Sequence, residues 1–336
     1  MKIRNAPARG GSASGGKSEI RKILFITLSN IGDAILTLPV LSALKDSFPD
    51  ARIDVVVGPK PRQIFTKDPG INNIFIYDKH AKLKEKIDFI GRLKREKYDM
   101  AVDMRTSLIP ILIGAKHRTS LISIGKNTIK HKRLTHLDKL KTLDIKYKKQ
   151  RNIYIDNKDR EAINKLFEKN GLRKEDVLIG VNPACRSLLK QWRTEGFIEV
   201  IDNLLKQGKH KIILIGDIGQ VNIAREVKNN LKHEGLVDLV GKTNLNELSA
   251  LIERLELLLT CDSACMHIAC DLGVKVVAVF GPTDAEEYGP TGEDDALIRK
   301  DLKCSPCKKA RCEFNHECME QVSSEEVLEA IKKILT

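Results

Sequence analysis

Residues 24–39 read LFITLSNIGDAILTLP. Apolar and β-branched residues run up to Thr27, a short turn Ser29-Asn30-Ile31-Gly32 follows, and a segment expected to be amphipathic opens behind it. A strand turning through small polar residues into a helix is how a nucleotide-binding βαβ unit begins. The phosphate loop of such a unit is missing. There is neither GxGxxG nor a Walker lysine, and Asp33 stands where a phosphate would dock. A helix N-terminus carries about half a positive charge and stabilises an ionised carboxylate, so an acidic first turn is a sufficient structural reading. The same carboxylate would repel a diphosphate, so a ligand reacting in this crevice is expected to offer a neutral hydroxyl. An ionised Asp facing a hydroxyl is a general base. Pro39, inside the same helical segment, removes a backbone bond and is expected to kink it.

Outward from this stretch, short β-rich runs alternate with helical periods. Strands are predicted at 23–27, 52–57, 74–77, 99–102 and 118–122, with helices near 33–48, 61–66, 83–96 and 106–114. A polar, lysine-rich stretch follows, with one helical pattern at 159–169. The alternation then restarts, with strands at 177–181, 211–215, 236–240, 255–259 and 275–280. Helices fit near 194–207, 220–232, 244–253 and 264–272, and Ser323 with Glu326 forms a capping box for a last helix to Leu335. The fold class expected is α/β, with two Rossmann-like domains facing across a cleft. Residues 20–150 make the first, 151–176 a connector, 177–322 the second and 323–336 a closing helix. In open parallel sheets ligands sit beyond the carboxyl ends of the strands, so the loops after Thr27, Val181, Ile215 and Leu259 are the ones to inspect.

At 336 residues, 42% hydrophobic and 31% charged, the chain suits a soluble protein with two cores. No apolar run approaches the roughly 18–20 residues of a spanning helix. Residues 1–19, Gly/Ser-rich and without a signal-peptide core, are expected to be a flexible tail. The net charge of +13 is uneven: residues 116–151 hold twelve Lys/Arg against two Asp. Such a stretch is either a solvated face or a patch for anions such as phospholipid head groups. Nucleic acid is not expected, because only Tyr147 offers a stacking ring there. All eight cysteines follow residue 184, and Cys304, Cys307, Cys312 and Cys318 form C-x2-C-x4-C-x5-C. The default is a packed, reduced thiol-rich loop; a metal site or disulfides are the alternatives.

The second half carries the polar loops. Arg186, Ser187, Lys190 and Trp192 fall within seven residues, and Ser187 with Lys190 could hold phosphate oxygens; a surface loop anchored by Trp192 is the structural reading. In Thr260-Cys261-Asp262-Ser263-Ala264-Cys265-Met266-His267, small residues at a strand-to-helix turn let N–H groups approach a phosphate. Asp262 could accept from a sugar hydroxyl, and His267 is either a ligand contact or a structural histidine. Phe280-Gly281-Pro282-Thr283-Asp284 makes another backbone-rich turn. No DxD pair offers to hold a divalent ion, so charge neutralisation would fall to Arg186, Lys190 and the helix dipole, without metal.

Taken in order, NIGDAILTLPVLSALK, Lys190-Gln191-Trp192, CDSACMHIACDLGVKVVAVFGPT and the cysteine-rich tail resemble glycosyltransferase family 9, the ADP-heptose:lipopolysaccharide heptosyltransferases. The resemblance covers nearly all of the chain after residue 20. It implies a GT-B fold with an acceptor in the first domain and a nucleotide-sugar in the second. The reaction implied is inverting transfer of heptose, or a similar sugar, from ADP-heptose to a lipopolysaccharide inner-core acceptor. Asp33 carries over as the base, with Asn30 and Gly32 on the acceptor side. Lys190 carries over to the donor diphosphate, and Asp262, Ser263, Ala264 and His267 to donor phosphate and sugar. The family's usual glycine is Ala264, which keeps its N–H but cannot use positive φ freely. For a ribose contact, Asp217 and Gln220 both remain open. No cofactor beyond the donor substrate is implied, and the enzyme is expected in the cytoplasm, at the inner face of an anionic membrane. The rivals are a nucleotide-sugar epimerase or hydrolase on this fold and a non-catalytic anion-binding relative. A dehydrogenase lacks its glycine fingerprint.

Overall fold

The computed structural model describes residues 20–120 and 130–336. The first half runs β1 (Lys22–Ile26), α1 (Ile31–Ser47), β2 (Arg52–Val57), α2 (Arg62–Thr66), β3 (Asn73–Ile76), α3 (Leu83–Arg95), β4 (Met100–Asp103), α4 (Ile109–Leu112) and β5 (His117–Arg118). Its strands form one parallel sheet in the order β3-β2-β1-β4-β5. After α5 (Lys132–Asp138) and α6 (Asn157–Lys169) the second half runs β6 (Leu178–Val181), α7 (Thr194–Lys206), β7 (Lys211–Leu214), α8 (Val221–Asn230) and β8 (Leu236–Asp238). It continues through α9 (Leu245–Ile252), β9 (Leu257–Cys261), α10 (Ala264–Leu272), β10 (Lys275–Phe280), α11 (Ala285–Tyr288) and β11 (Ala296–Arg299). The closing helices are α12 (Glu317–Glu320) and α13 (Ser324–Leu335). The second sheet is also parallel, in the order β11-β10-β9-β6-β7-β8.

Each sheet reverses its direction of growth once, between β1 and β4 and between β6 and β9. Crevices open at such switch points. The loops beyond them hold Ser29–Asp33 and Asp103–Ser107 in one half, and Asn182–Lys190 and Asp262–Ser263 in the other.

The sequence of α1 explains its position. From Ala34 to Leu41 every residue is buried, with no polar face. A helix apolar all round, rather than amphipathic as expected, must be covered on all sides; α1 packs on α5 and α10 and shares an apolar cluster with β1 and β2. It continues through the buried Pro39 to Ser47. One apolar cluster therefore runs from Ile35 and Leu38 of α1 to Cys265, Met266 and Ile268 of α10, joining the halves. Two further clusters fill the outer faces of the two sheets.

The connecting segment is held by Asp271, a buried carboxylate on α10. It accepts Asn152 N at 2.8 Å, Ile153 N at 2.8 Å and Asn152 Nδ2 at 2.6 Å. α6 then packs on α9, while Lys67 from the first half pairs with Asp159 at 2.6 Å. α13 has the Ser323/Glu326 capping box and packs on α7, β10 and β11.

Several boundaries differ from the sequence reading. The strand expected at 118–122 is only His117–Arg118, and its last two positions lie outside the described residues, as do residues 1–19. The helix expected at 106–114 is a single turn; Thr106 has φ +58°, which a helix cannot contain. The strand expected to end at Leu259 continues to Cys261, because Thr260 and Cys261 are wholly buried and pair with β10. α5 and β11 were not anticipated. No helix among the described residues is long and apolar enough to cross a membrane.

Candidate active site

On the first half, Asn30 is the extended residue before α1 and its side chain does not cap the helix. Its Nδ2 donates instead to Asp33 Oδ2 at 2.9 Å. Gly32 is required by closeness: a Cβ there would lie 3.0 Å from His267 Cδ2 and 3.9 Å from Ala264 Cα. The N-terminal ends of α1 and α10 thus meet, one from each half. Across the β1/β4 switch point, Arg105 donates to Ser29 Oγ at 2.7 Å and stacks over Tyr77 with 5.0 Å to the ring centroid.

On the second half, Asp262 follows β9 and is nearly buried. Its Oδ2 accepts from Lys190 Nζ at 2.5 Å and from Thr283 Oγ1 at 2.7 Å. Ser263 is the N-cap of α10: its Oγ accepts Met266 N at 3.3 Å and lies 2.9 Å from Thr260 Oγ1 and 3.4 Å from Asn182 Nδ2. Ala264 is the first residue of α10 and is not among the residues with positive φ, so the left-handed conformation a glycine would allow is not needed. Ser187 is exposed, just before the short 3-10 turn Leu188–Lys190. Trp192 beyond it is fully buried, edge-to-face with Phe197 at 4.9 Å, and donates Nε1–H to Val322 O at 3.0 Å.

The two ribose candidates have different surroundings. Gln220 bridges loops, donating to Ala184 O at 3.0 Å and accepting Asp217 N at 3.0 Å. Asp217 is exposed, and its Oδ1 accepts Gly219 N at 2.7 Å.

Electrostatics tie the halves together at His267. Burial lowers its pKa to about 4, outweighing Asp262 and Asp33, whose charges pull the other way. It is neutral at pH 7. The Tyr288 hydroxyl is pushed up, by burial first and then by the charges of Asp33 and Glu287, with Asp262 adding to them. One side chain thus senses carboxylates from both halves. Thr283 lies in the backbone-rich turn that the sequence places after β10, with no role given to it there, whereas Tyr288 was not anticipated; its one signal is the Gly289-Pro290 dipeptide that ends α11.

The basic stretch is less a patch than it looks. Lys132 pairs with Glu287 at 3.0 Å, and Arg133 donates to Tyr147 Oη at 2.9 Å. Lys139 donates to the carbonyls of Asp103 and Met104 at 3.0 and 3.3 Å, and burial lowers its pKa. Lys146, Lys148 and Lys149 are exposed.

All eight cysteines are free thiols. Cys304, Cys307, Cys312 and Cys318 line one cavity of about 460 Å³, beside Leu189 and Pro282. Burial and the other three thiols push Cys318 up to about 11. Among the described residues no three His, Cys, Asp or Glu side chains converge as a metal ion would need.

The arrangement sets one carboxylate on the first half against a lysine, a second carboxylate and a helix N-terminus on the other. Chemically, such a set can serve a hydroxyl on one side and an anionic leaving group on the other. The model of glycosyltransferase family 9 (heptosyltransferase) matches residues 115–317, more than half of the chain. Lipooligosaccharide heptosyltransferase 2 of Campylobacter jejuni is 28% identical over 326 residues, covering 93% of this chain and 99% of its own length. Lipopolysaccharide heptosyltransferase 3 of Escherichia coli K12 is 25% identical, covering 90% and 95%. Two solved structures share the fold. A family 9 glycosyl transferase from Veillonella parvula has TM-score 0.79, 24% identity and coverage of 94% and 97%. The E. coli ADP-heptose LPS heptosyltransferase II has TM-score 0.74, 20% identity and coverage of 94% and 98%. The two facing parallel-sheet domains are a GT-B fold, and the chain belongs to glycosyltransferase family 9, the heptosyltransferases.

Proposed function

We propose that this glycosyltransferase moves heptose from ADP-heptose to the inner core of a lipopolysaccharide, with Asp33 as general base. The named relatives act on lipopolysaccharide or lipooligosaccharide, which supports the acceptor class. The observation that supports the mechanism is the meeting of α1 and α10 at Gly32 and His267, with Asp33, Asp262 and Lys190 all close enough to act on the His267 ring.

Asp33 takes the proton of the acceptor hydroxyl as that oxygen attacks the anomeric carbon. The bond from that carbon to the diphosphate oxygen breaks on the opposite face, so the centre inverts. Charge developing on ADP is met by Lys190, by Ser187 and by the N–H groups at the start of α10. Asp262 orients a sugar hydroxyl once Lys190 has turned to the diphosphate. His267, neutral at pH 7, adds no competing charge between the two carboxylates. A divalent ion is not needed for this neutralisation, and Lys146, Lys148 and Lys149 face an anionic membrane carrying the acceptor.

The test is Asp33→Asn, assayed for transfer and for ADP-heptose binding, with a chelator arm on the wild type. Transfer should fall by at least about 100-fold, the usual scale of lost general-base catalysis. Donor affinity should hold, and EDTA should leave the wild-type rate unchanged. Wild-type turnover in Asp33→Asn removes the base assignment. Rapid conversion of donor without acceptor would favour an epimerase or hydrolase instead.

A further inference from the structure

The Leu188–Lys190 turn has little of its own to hold it. Leu188 is 75% exposed, and Arg186 and Ser187 are exposed beside it. Its internal bonds are local, Lys190 N to Ser187 O at 2.9 Å and Gln191 N to Leu188 O at 3.2 Å. Behind it, Leu189 lines the thiol-rich cavity of about 460 Å³. Among the described residues, two hydrogen bonds reach residues 187–190 from elsewhere in the chain. One is Lys190 to Asp262; the other joins His316 Nε2 to Leu189 O at 2.5 Å.

A carbonyl only accepts, so the His316 ring carries its proton on Nε2. The residue is itself well placed to be a fixed post. Its φ is +64°, it precedes α12, and its N–H donates to Cys312 Sγ at 3.3 Å, as does Phe314 N–H at 3.4 Å. The same loop reaches the other side of the donor set. Ser305 Oγ donates to Gly281 O at 2.6 Å and Lys308 N to Pro282 O at 3.0 Å, immediately before Thr283, which bonds Asp262.

We propose that the thiol-rich loop, residues 302–318, is a clasp on the donor-side loops, and that His316 is its positioning residue. Lys190 gives up its bond to Asp262 if its ammonium swings over to a diphosphate. When it turns to the donor, the His316–Leu189 bond becomes the remaining long-range tether of the turn. His316 therefore sets where Lys190 meets the phosphates without touching them. The inference rests on the donor-binding reading of Lys190 given above.

The experiment compares His316→Asn with His316→Gln. Asparagine tolerates the left-handed backbone but is too short to reach Leu189, whereas glutamine brings an amide N–H to the carbonyl. Two readouts are taken: steady-state kinetics with ADP-heptose, and trypsin cleavage after Arg186 and Lys190 in the ligand-free protein. In His316→Asn the donor KM should rise roughly fivefold, the scale of one hydrogen bond, with kcat and acceptor KM near wild type. Cleavage at both sites should accelerate, and glutamine should recover part of each effect. Wild-type cleavage and wild-type donor KM in His316→Asn overturn the proposal. Faster cleavage with unchanged donor KM overturns the positioning role. If the wild type binds no ADP-sugar, the reading of Lys190 fails, and the cleavage rates alone decide whether the clasp exists. Should His316→Asn melt far below the wild type, Ser305→Ala, which frees the other arm at Gly281, is cleaved in its place. Faster cleavage there supports the clasp, and a wild-type rate overturns it.

Discussion

Replacing Asp271 by alanine should loosen the segment that joins the two halves. The carboxylate is 6% exposed and accepts three N–H bonds from Asn152 and Ile153. Alanine leaves two backbone N–H groups without a partner in a site that is itself mostly buried, at roughly 1–3 kcal/mol each. The Asn152 side chain retains a bond to Gln150 O at 2.9 Å, and Arg133, 3.8 Å from the carboxylate, retains Tyr147, so neither adds much. The expected loss is about 3 kcal/mol. For a cooperative unit of 150–250 residues each kcal/mol moves Tm by about 2–4 °C, so the melt should fall by ~6–12 °C. Scanning calorimetry of wild type, Asp271→Ala and Asp271→Asn measures it. Asparagine should lose about half as much, since one oxygen can still take both backbone donors while its amide faces that of Asn152. A Tm within about 2 °C of wild type for Asp271→Ala would refute the reasoning.

Acid should destabilise the fold through its buried histidines. Burial holds His136 at about 4, so below pH 6.5 the unfolded chain binds a proton that the folded chain refuses. Stability is then full above pH 6.5 and falls as pH drops toward 4. His136→Gln should spare about 2 kcal/mol of that loss by pH 5, read from urea midpoints at pH 7 and pH 5, and an unchanged pH slope would contradict it. Two glycines should respond oppositely to alanine. At Gly281 a Cβ would lie 2.5 Å from Met319 Sδ and 2.7 Å from Cys318 Sγ, costing about 1–3 kcal/mol. At Gly91, inside α3 with nothing within 4 Å, alanine should add about 0.5–1 kcal/mol. Thermal melts of both variants check the pair, and equal shifts would show that the local space does not decide.

The fold was legible where local chemistry agreed with burial. Ser263 as N-cap and Gly273 in the left-handed region bound α10 at the residues expected, and β2 and β10 each end in an apolar run, 55–57 and 276–280, ahead of a turn. β11 was hidden because only alternate residues are half-buried and charged runs flank it. α5 was hidden because Lys132 and Arg133 look solvated in the sequence, yet they bond Glu287 and Tyr147 in the fold. Within the site, the residues to examine were legible from strand-end topology, but their partners were not. The pairing of Lys190 with Asp262 spans 72 residues and that of His316 with Leu189 spans 127, distances that no local pattern encodes.

The order of strands in the two sheets has one more consequence. Among the described residues, the strands of the first sheet all come from 22–118 and those of the second from 178–299, so the sheets occupy separate stretches of the polypeptide. A single recombination point in the intervening segment would exchange whole sheets between two related genes without interrupting a strand. Each parent would contribute one complete wall of the cleft, Asp33 on one and Lys190 with Asp262 on the other. The joint that must be inherited intact includes the apolar seam between α1 and α10 and the Asp271 that receives Asn152 and Ile153.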